Sequence, residues 1–291
     1  MSDTATFQTV AVFGAGTMGS GIAQICSQAG SQVRLFDIND EVVGAGMARI
    51  RAFLDKGVAR GKTTTDDADR IFGAISGEND LAAAVTGADL VIEAIPEIFD
   101  LKREVFAKIA PLVSDSAVLA TNTSSLAVTK IFEGIEAPGR CIGTHFFNPP
   151  PLMPLLEVVR GEQTTQETVD RVLAYGEQLG KEAILVKDSP GFATSRLGVV
   201  LGLEAIRMVE AEVAAPADID KAMELGYRHP MGPLRLTDLV GLDVRMAIAD
   251  YLRQELDSPA FEVPQLMRDM VERGHTGKKA GQGFYDWPVT D

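Results

Sequence analysis

Residues 145–159, HFFNPPPLMPLLEVV, hold two ionisable side chains, His145 and Glu157, twelve residues apart. Between them the one other polar side chain is Asn148, and four prolines stiffen the path. A neutral imidazole is the usual proton acceptor near neutral pH. A carboxylate bonded to its second nitrogen fixes the tautomer and stabilises the imidazolium that forms. Apolar, rigid surroundings lower the local dielectric and strengthen such a pair. A core histidine satisfied by a structural carboxylate fits the same residues, so residue types alone leave both readings open. The other histidines are His229 and His275. His229 opens HPMGP, where a turn or helix entry is expected. His275 follows Gly274 after a helix and is expected in solvent.

A second group with chemical meaning is VFGAGTMGSG, with Gly14, Gly16 and Gly19 in G-x-G-x-x-G spacing. Alone that spacing is weak, and a turn that merely packs tightly would also satisfy it. Here an apolar run, QTVAVF, precedes it and reads as a buried strand. After it Met18, Ile22, Ile25 and Ala29 recur at helical spacing, and Gly30 closes the helix. SQVRLFD turns Val33 and Leu35 inward and ends at Asp37. In this context each glycine has a reason. Gly14 permits the tight turn, Gly16 lets a pyrophosphate approach the backbone, and Gly19 lets helix and sheet pack closely. Thr17 and Met18 lie in the opening turn of the helix, whose free N–H groups and partial positive charge suit phosphates. Asp37 can accept hydrogen bonds from ribose hydroxyls and repels a 2′-phosphate. Arg34 shares its strand, but no basic residue follows in DINDE, so NAD is favoured over NADP.

The elements that must position these groups alternate. Val43, Met47, Ile50 and Leu54 mark a helix, LVIEAI (90–95) a buried strand, and Ile98, Leu101, Val105 and Ile109 another helix. AVLATN (117–122), CIGTHF (141–146), LLEVV (155–159) and AILVK (183–187) are further strands. Such alternation predicts a Rossmann-type, doubly wound, mainly parallel α/β sheet. Beyond Asp188 the apolar patterns are helical: Leu197, Leu201 and Met208 on one helix, a helix from Pro216 towards Gly226, and helices around 234–256 and 264–273. We therefore expect an NAD-binding domain over 1–188 and a smaller all-α domain over 189–291. The length of 291 residues suits two domains. A net charge of −14 argues against nucleic acid and anionic membranes as partners. No apolar run is long enough to span a membrane, and no secretory signal is read at the N-terminus, so a cytoplasmic protein is expected. Cys26 and Cys141 read as buried, reduced thiols, and no Cys/His pair has zinc spacing, so no metal is expected.

GAGTMGSGIAQ, ATNTSSL (120–126), HFFNPPPLMPLLEVV, DSPGF (188–192), HPMGPLRLTDLVGLD (229–243) and GKKAGQGFYDW (277–287) together resemble the L-3-hydroxyacyl-CoA dehydrogenases, nearest the bacterial 3-hydroxybutyryl-CoA type. The resemblance implies NAD-dependent, reversible oxidation of a 3-hydroxyacyl-CoA to the 3-ketoacyl-CoA. It implies that His145 is the catalytic histidine, that Glu157 pairs with it and that Asn148 stands beside it. It further implies that Ser124 contacts substrate and nicotinamide, and that Glu97, Lys102, Asn122 and Lys279 line the NAD site. The second domain would complete the substrate cleft and form a homodimer. By residue type alone, Ser124 suits either a ligand at the sheet top or a helix N-cap for 125–131. Lys56 and Arg60, four apart on one helical face, could meet CoA phosphates but read first as a solvated face; the resemblance favours Arg60 as a CoA contact. Two positions depart from the family. Ser195, in DSPGFATSR, replaces an asparagine that contacts the substrate, and Phe53 replaces a serine that contacts the CoA nucleotide in mammalian enzymes. Substrate preference is open at this point. One rival function is a dehydrogenase of a free hydroxy acid, with Arg196 aimed at its carboxylate. Another is a non-enzymatic NAD-binding sensor, which would need no proton acceptor.

Overall fold

The structure is a computed structural model that describes residues 6–288. The chain divides into two compact units, Met1–Ser189 and Pro190–Asp291, each with its own hydrophobic core. The first holds eight strands: β1 (Thr9–Phe13), β2 (Gln32–Phe36), β3 (Ile75–Glu78), β4 (Leu90–Glu93), β5 (Val118–Thr121), β6 (Cys141–Phe146), β7 (Leu155–Arg160) and β8 (Glu182–Lys187). They form one sheet in the order β3-β2-β1-β4-β5-β6-β7-β8. The six strands from β3 to β6 run parallel, β7 is antiparallel to β6, and β8 is parallel to β7. Strands β4, β5 and β6 are buried along their whole length, which is why their sequences are continuous apolar runs rather than alternating ones. The strand order reverses at β1, between β2 and β4, the place where open α/β sheets bind ligands.

The helices of this unit are α1 (Thr17–Gln28), α2 (Asp40–Ala59), α3 (Thr65–Gly73), α4 (Leu81–Val85), α5 (Phe99–Ile109), α6 (Val128–Ile131) and α7 (Gln166–Gln178). Sequence reading left 60–89 without elements. The structure places α3, β3 and α4 there, all short, and β3 (ISGE) has too few apolar residues to show a period. On α5 the expected stripe of Ile98, Leu101, Val105 and Ile109 is displaced. The inward face is Lys102, Phe106 and Ile109, and Ile98 is 56% exposed. The cause is an ion pair that draws Lys102 inward.

The second unit contains α8 (Thr194–Glu210), α9 (Pro216–Gly226), α10 (Pro233–Val240), α11 (Leu242–Leu256) and α12 (Gln265–Glu272). The helical stretch expected at 234–256 is two helices. Gly241 breaks it at φ +107°, a conformation open to glycine. Leu197, Leu201 and Met208 lie on α8 as expected; the buried core face of that helix is Val199, Leu203, Ala205 and Ile206, Met208 packs against it, and Leu197 is 68% exposed. Among the described residues no helix is long and apolar enough to cross a membrane.

Candidate active site

The glycine loop joins β1 to α1. Gly14 has φ +101°, and a Cβ there would meet the Ala94 carbonyl at 2.6 Å. A Cβ on Gly19 would lie 1.6 Å from the Gly14 carbonyl, so helix and loop can close only on glycine. Gly16 has nothing within 4 Å of the corresponding position. No side chain caps the N-terminus of α1, and its first turn, opened by Thr17 and Met18, carries no acid. An uncapped helix start beside open space is what a pyrophosphate needs. Asp37 accepts from Ala15 N–H at 2.7 Å through one oxygen and from Ile38 N–H at 2.8 Å through the other. Each oxygen still has a lone pair for a ribose hydroxyl. Arg49, on α2, ties the loop from behind, donating to the Ala15 carbonyl at 3.0 Å and to Ser20 Oγ at 3.2 Å. Arg34 donates to the Thr86 carbonyl. These features fit a dinucleotide without a 2′-phosphate.

His145 and Glu157 face one another directly across the antiparallel pair β6–β7. Nδ1 of His145 lies 2.7 Å from Oε2 of Glu157. The imidazole is 7% exposed and the carboxylate is fully buried. The eight residues of 147–154 that join the two strands carry the prolines. Buried Lys181 clamps that loop by donating to the carbonyls of Pro150 at 2.6 Å and Met153 at 2.8 Å. Pro150 also packs so closely on Gly21 of α1 that a Cβ there would be 2.7 Å away. The Phe147 ring lies 4.4 Å from the imidazole, centre to centre. Asn122, at the end of β5, accepts from Phe146 N–H at 2.9 Å and pins the residue after the histidine. Asn148 is exposed at the start of the proline loop.

Beside this pair lies a charged network. Glu93, fully buried at the end of β4, accepts from Lys102 Nζ at 2.6 Å, Thr121 Oγ1 at 2.6 Å and Ile95 N–H at 2.9 Å. Burial pushes its carboxyl above the usual range, and the Lys102 charge opposes this incompletely. Lys102, 1% exposed, also reaches Glu97 at 3.2 Å. Glu97 in turn accepts from Thr123 Oγ1 at 2.6 Å, Ser124 N–H at 2.8 Å and Ser124 Oγ at 3.2 Å. Burial alone would raise the Glu97 carboxyl, but Lys102, Thr123 and the Ser124 amide together hold it below the usual range. Lys102, expected to line the cofactor site, is buried between Glu93 and Glu97. The cap for α6 is not Ser124. Asp188 supplies it, accepting from Val128 N–H at 3.0 Å and Thr129 N–H at 2.7 Å.

The first unit thus gathers His145, Glu157, Asn122, Ser124, Glu97 and Lys102 at the ends of β4–β7. Ser195, in the first turn of α8, and Lys279, paired with Asp243 at 2.5 Å, belong to the second unit. Lys56 and Arg60 are exposed at the end of α2. One to two turns earlier, Arg49 and Phe53 line a cleft of about 70 Å³ with Thr17, Gln24 and Pro149–Pro151. Sequence reading missed Glu93, Arg49 and Asp188. A signal for Glu93 was present: an acid in the buried run LVIEAI requires a partner.

An open glycine loop at a sheet switch point, with a buried imidazole–carboxylate pair on the same sheet, fits a Rossmann-type NAD-dependent dehydrogenase. Family comparisons agree. The model described as 3-hydroxyacyl-CoA dehydrogenase, NAD binding domain, matches residues 9–189, and the one described as 3-hydroxyacyl-CoA dehydrogenase, C-terminal domain, matches residues 191–287. The chain belongs to the 3-hydroxyacyl-CoA dehydrogenase family, and its cofactor is NAD. It is 43% identical over 289 residues to the 3-hydroxybutyryl-CoA dehydrogenase of Mycobacterium tuberculosis, covering 99% of this chain and 100% of that one. It is 40% identical over 281 residues to the 3-hydroxyadipyl-CoA dehydrogenase of Escherichia coli, covering 96% of this chain and 59% of that one. The crystal structure of (S)-3-hydroxybutyryl-CoA dehydrogenase from Ralstonia eutropha superposes with a TM-score of 0.93 at 40% identity, covering 97% and 99% of the two chains.

The loop geometry makes one prediction. Asp37→Ala removes a charged acceptor and leaves Ala15 N–H without its partner. NADH affinity is expected to fall about 10–100-fold, the equivalent of about 1.5–3 kcal/mol for a hydrogen bond to a charged group. Discrimination against NADPH is expected to narrow. Fluorescence titration with both nucleotides checks this; an unaltered ratio of affinities would remove Asp37 from ribose recognition.

Proposed function

We propose that this enzyme reversibly oxidises an L-3-hydroxyacyl-CoA of the 3-hydroxybutyryl type, with His145 as general base and Glu157 orienting it. The 2.7 Å contact between Nδ1 of His145 and Glu157 carries this reading. An ionised carboxylate only accepts, so neutral His145 bears its proton on Nδ1. Nε2 is then the basic atom that takes the hydroxyl proton. NAD, when bound, would supply the acceptor for the hydride on the carbon that bears that hydroxyl. As His145 becomes cationic, the buried Glu157 charge neutralises it where water screens little. In the reverse direction the imidazolium returns the proton to the 3-keto oxygen. Ser124, held by Glu97, is assigned to substrate and nicotinamide, and Asn148 to the same centre. Asn122, Glu97 and Lys279 are assigned to the cofactor, Ser195 to the substrate, and Lys56 and Arg60 to the CoA phosphates. The helical unit is assigned to the substrate cleft and to a homodimer.

The free hydroxy acid reading is separated by comparing acetoacetyl-CoA with free acetoacetate as oxidants of NADH. Only the thioester is expected to turn over, and equal kcat/KM for the two would overturn the CoA assignment. Glu157→Gln is expected to slow kcat by about 10–10³-fold and to change its pH dependence. A mutant kinetically identical to the parent would leave Glu157 a structural partner of a core histidine.

A further inference from the structure

Residues 121–124 lead from the end of β5 to Ser124, and two acids of the neighbouring segment 93–97 hold each of them. Glu93 stands opposite Thr121 across β4 and β5. Its carboxylate accepts from Thr121 Oγ1 at 2.6 Å, and its carbonyl accepts from Asn122 N–H at 2.8 Å. Glu97 accepts from Thr123 Oγ1, Ser124 N–H and Ser124 Oγ, all on one oxygen, Oε1. Its other oxygen, Oε2, lies 3.2 Å from Lys102 Nζ. Glu97 is thus held from both sides, by the serine in front and the lysine behind.

Lys102 is in turn held by Glu93. An ammonium has three N–H donors. Lys102 Nζ has three partners: Glu93 Oε1 at 2.6 Å, Glu97 Oε2 at 3.2 Å and the Ile95 carbonyl at 3.4 Å. One buried cation is shared by two acids, and it sits nearer the fully buried one. Attraction between charges is strong where water is absent, so Glu93 opposes the pull of Glu97 on the lysine. The same Glu93 oxygen accepts from Ile95 N–H, and Ala94–Ile95 is the backbone on which Gly14 closes. The reaction proposed above makes no use of Glu93. For stability alone, an apolar pair of similar volume often serves as well as a buried ion pair.

We propose that Glu93 is a positioning residue for hydride transfer: by holding Lys102 off Glu97 it keeps the Glu97 carboxylate on Ser124. This rests on the proposed function above, in which Ser124 contacts substrate and nicotinamide. Glu93→Gln keeps the shape, and an oxygen for Lys102 and for the Ile95 amide, but loses the charge. Lys102 is then expected to shift towards Glu97 and to draw its carboxylate away from the serine.

The test is a cycle of Glu93→Gln, Ser124→Ala and the double variant, in the full chain, with acetoacetyl-CoA and NADH. Turnover is counted per NADH-binding site, so that unfolded protein does not enter. Glu93→Gln is expected to lower kcat about 10–10²-fold, the scale of a small misplacement of reacting groups. The Kd of NADH is expected to stay within about threefold of the parent. With NADH deuterated at the transferred position, the isotope effect on kcat is expected to be no smaller than in the parent, since hydride transfer is the step that slows. In the Ser124→Ala background Glu93→Gln is expected to cost less than about twofold, because the contact through which it acts is already gone. Unchanged kcat per site in Glu93→Gln overturns the proposal, and so do losses that multiply in the double variant. If Glu93→Gln does not fold, the same cycle is run with Glu93→Asp, whose carboxylate is set back by one methylene; failure of both to fold overturns the proposal and leaves Glu93 a stabilising acid. Full activity of Ser124→Ala overturns the assignment of Ser124 in the proposed function, and this inference with it.

Discussion

Replacing His145 by glutamine is expected to lower kcat by about 10²–10⁴-fold while NADH still binds. The amide can donate to Glu157 as Nδ1 does, so the buried carboxylate keeps a partner and the fold is spared. An amide has no basic nitrogen, so the hydroxyl proton must leave to water. The glycine loop belongs to β1 and α1, and the histidine to β6. Cofactor affinity and proton transfer should therefore separate. Stopped-flow reduction of acetoacetyl-CoA, with a parallel NADH titration, reads both. An unchanged kcat would take His145 out of the reaction and leave the pair a structural one.

Replacing Lys102 by methionine is expected to destabilise the protein by about 3–5 kcal/mol near pH 8, because a buried carboxylate loses its cation. Glu93 keeps Thr121 and the Ile95 amide but no positive charge. The sign with pH follows from burial. In the parent the Glu93 carboxyl is already held above its ordinary value, and without Lys102 it rises further. A carboxyl whose folded pKa is raised gives its full stability below the unfolded value, about 4.3, and loses it as pH climbs to the folded one. The deficit of the variant should therefore be larger at pH 8 than at pH 5.5. Adding Glu93→Gln should recover much of it. Urea unfolding at both pH values measures this. A small deficit independent of pH would mean that the pair contributes little to the fold. Turnover in Lys102→Met should fall as well, since Glu97 loses the cation that helps it hold Ser124.

Both variants concern side chains that the sequence displayed very differently. His145 and Glu157 were conspicuous because apolar residues and prolines surround them. Their direct opposition was not, because twelve residues with four prolines could be a hairpin or a wide connection between distant strands. The hairpin register decides it. Lys102 sat on an apparently ordinary amphipathic helix. Its inward turn follows from Glu93 on β4, nine residues earlier and on a different element. The stripe of Leu197, Leu201 and Met208 identified α8 but not which of its residues are buried. Period identifies a helix, but the face that is buried depends on neighbours, and here Val199, Leu203 and Ile206 meet the core.

By itself the chain of residues determined the alternation of strand and helix and the glycine loop with Asp37, because these depend on short-range spacing and on chemistry carried by residue type; the reaction class came from the family resemblance of its motifs. Tertiary structure decided which ionisable groups meet: His145 with Glu157, Lys102 with Glu93 and Glu97, and Asp188 with the start of α6. Such meetings depend on strand order, register and helix rotation. Those are settled by burial over the whole core, which no local stretch of sequence records.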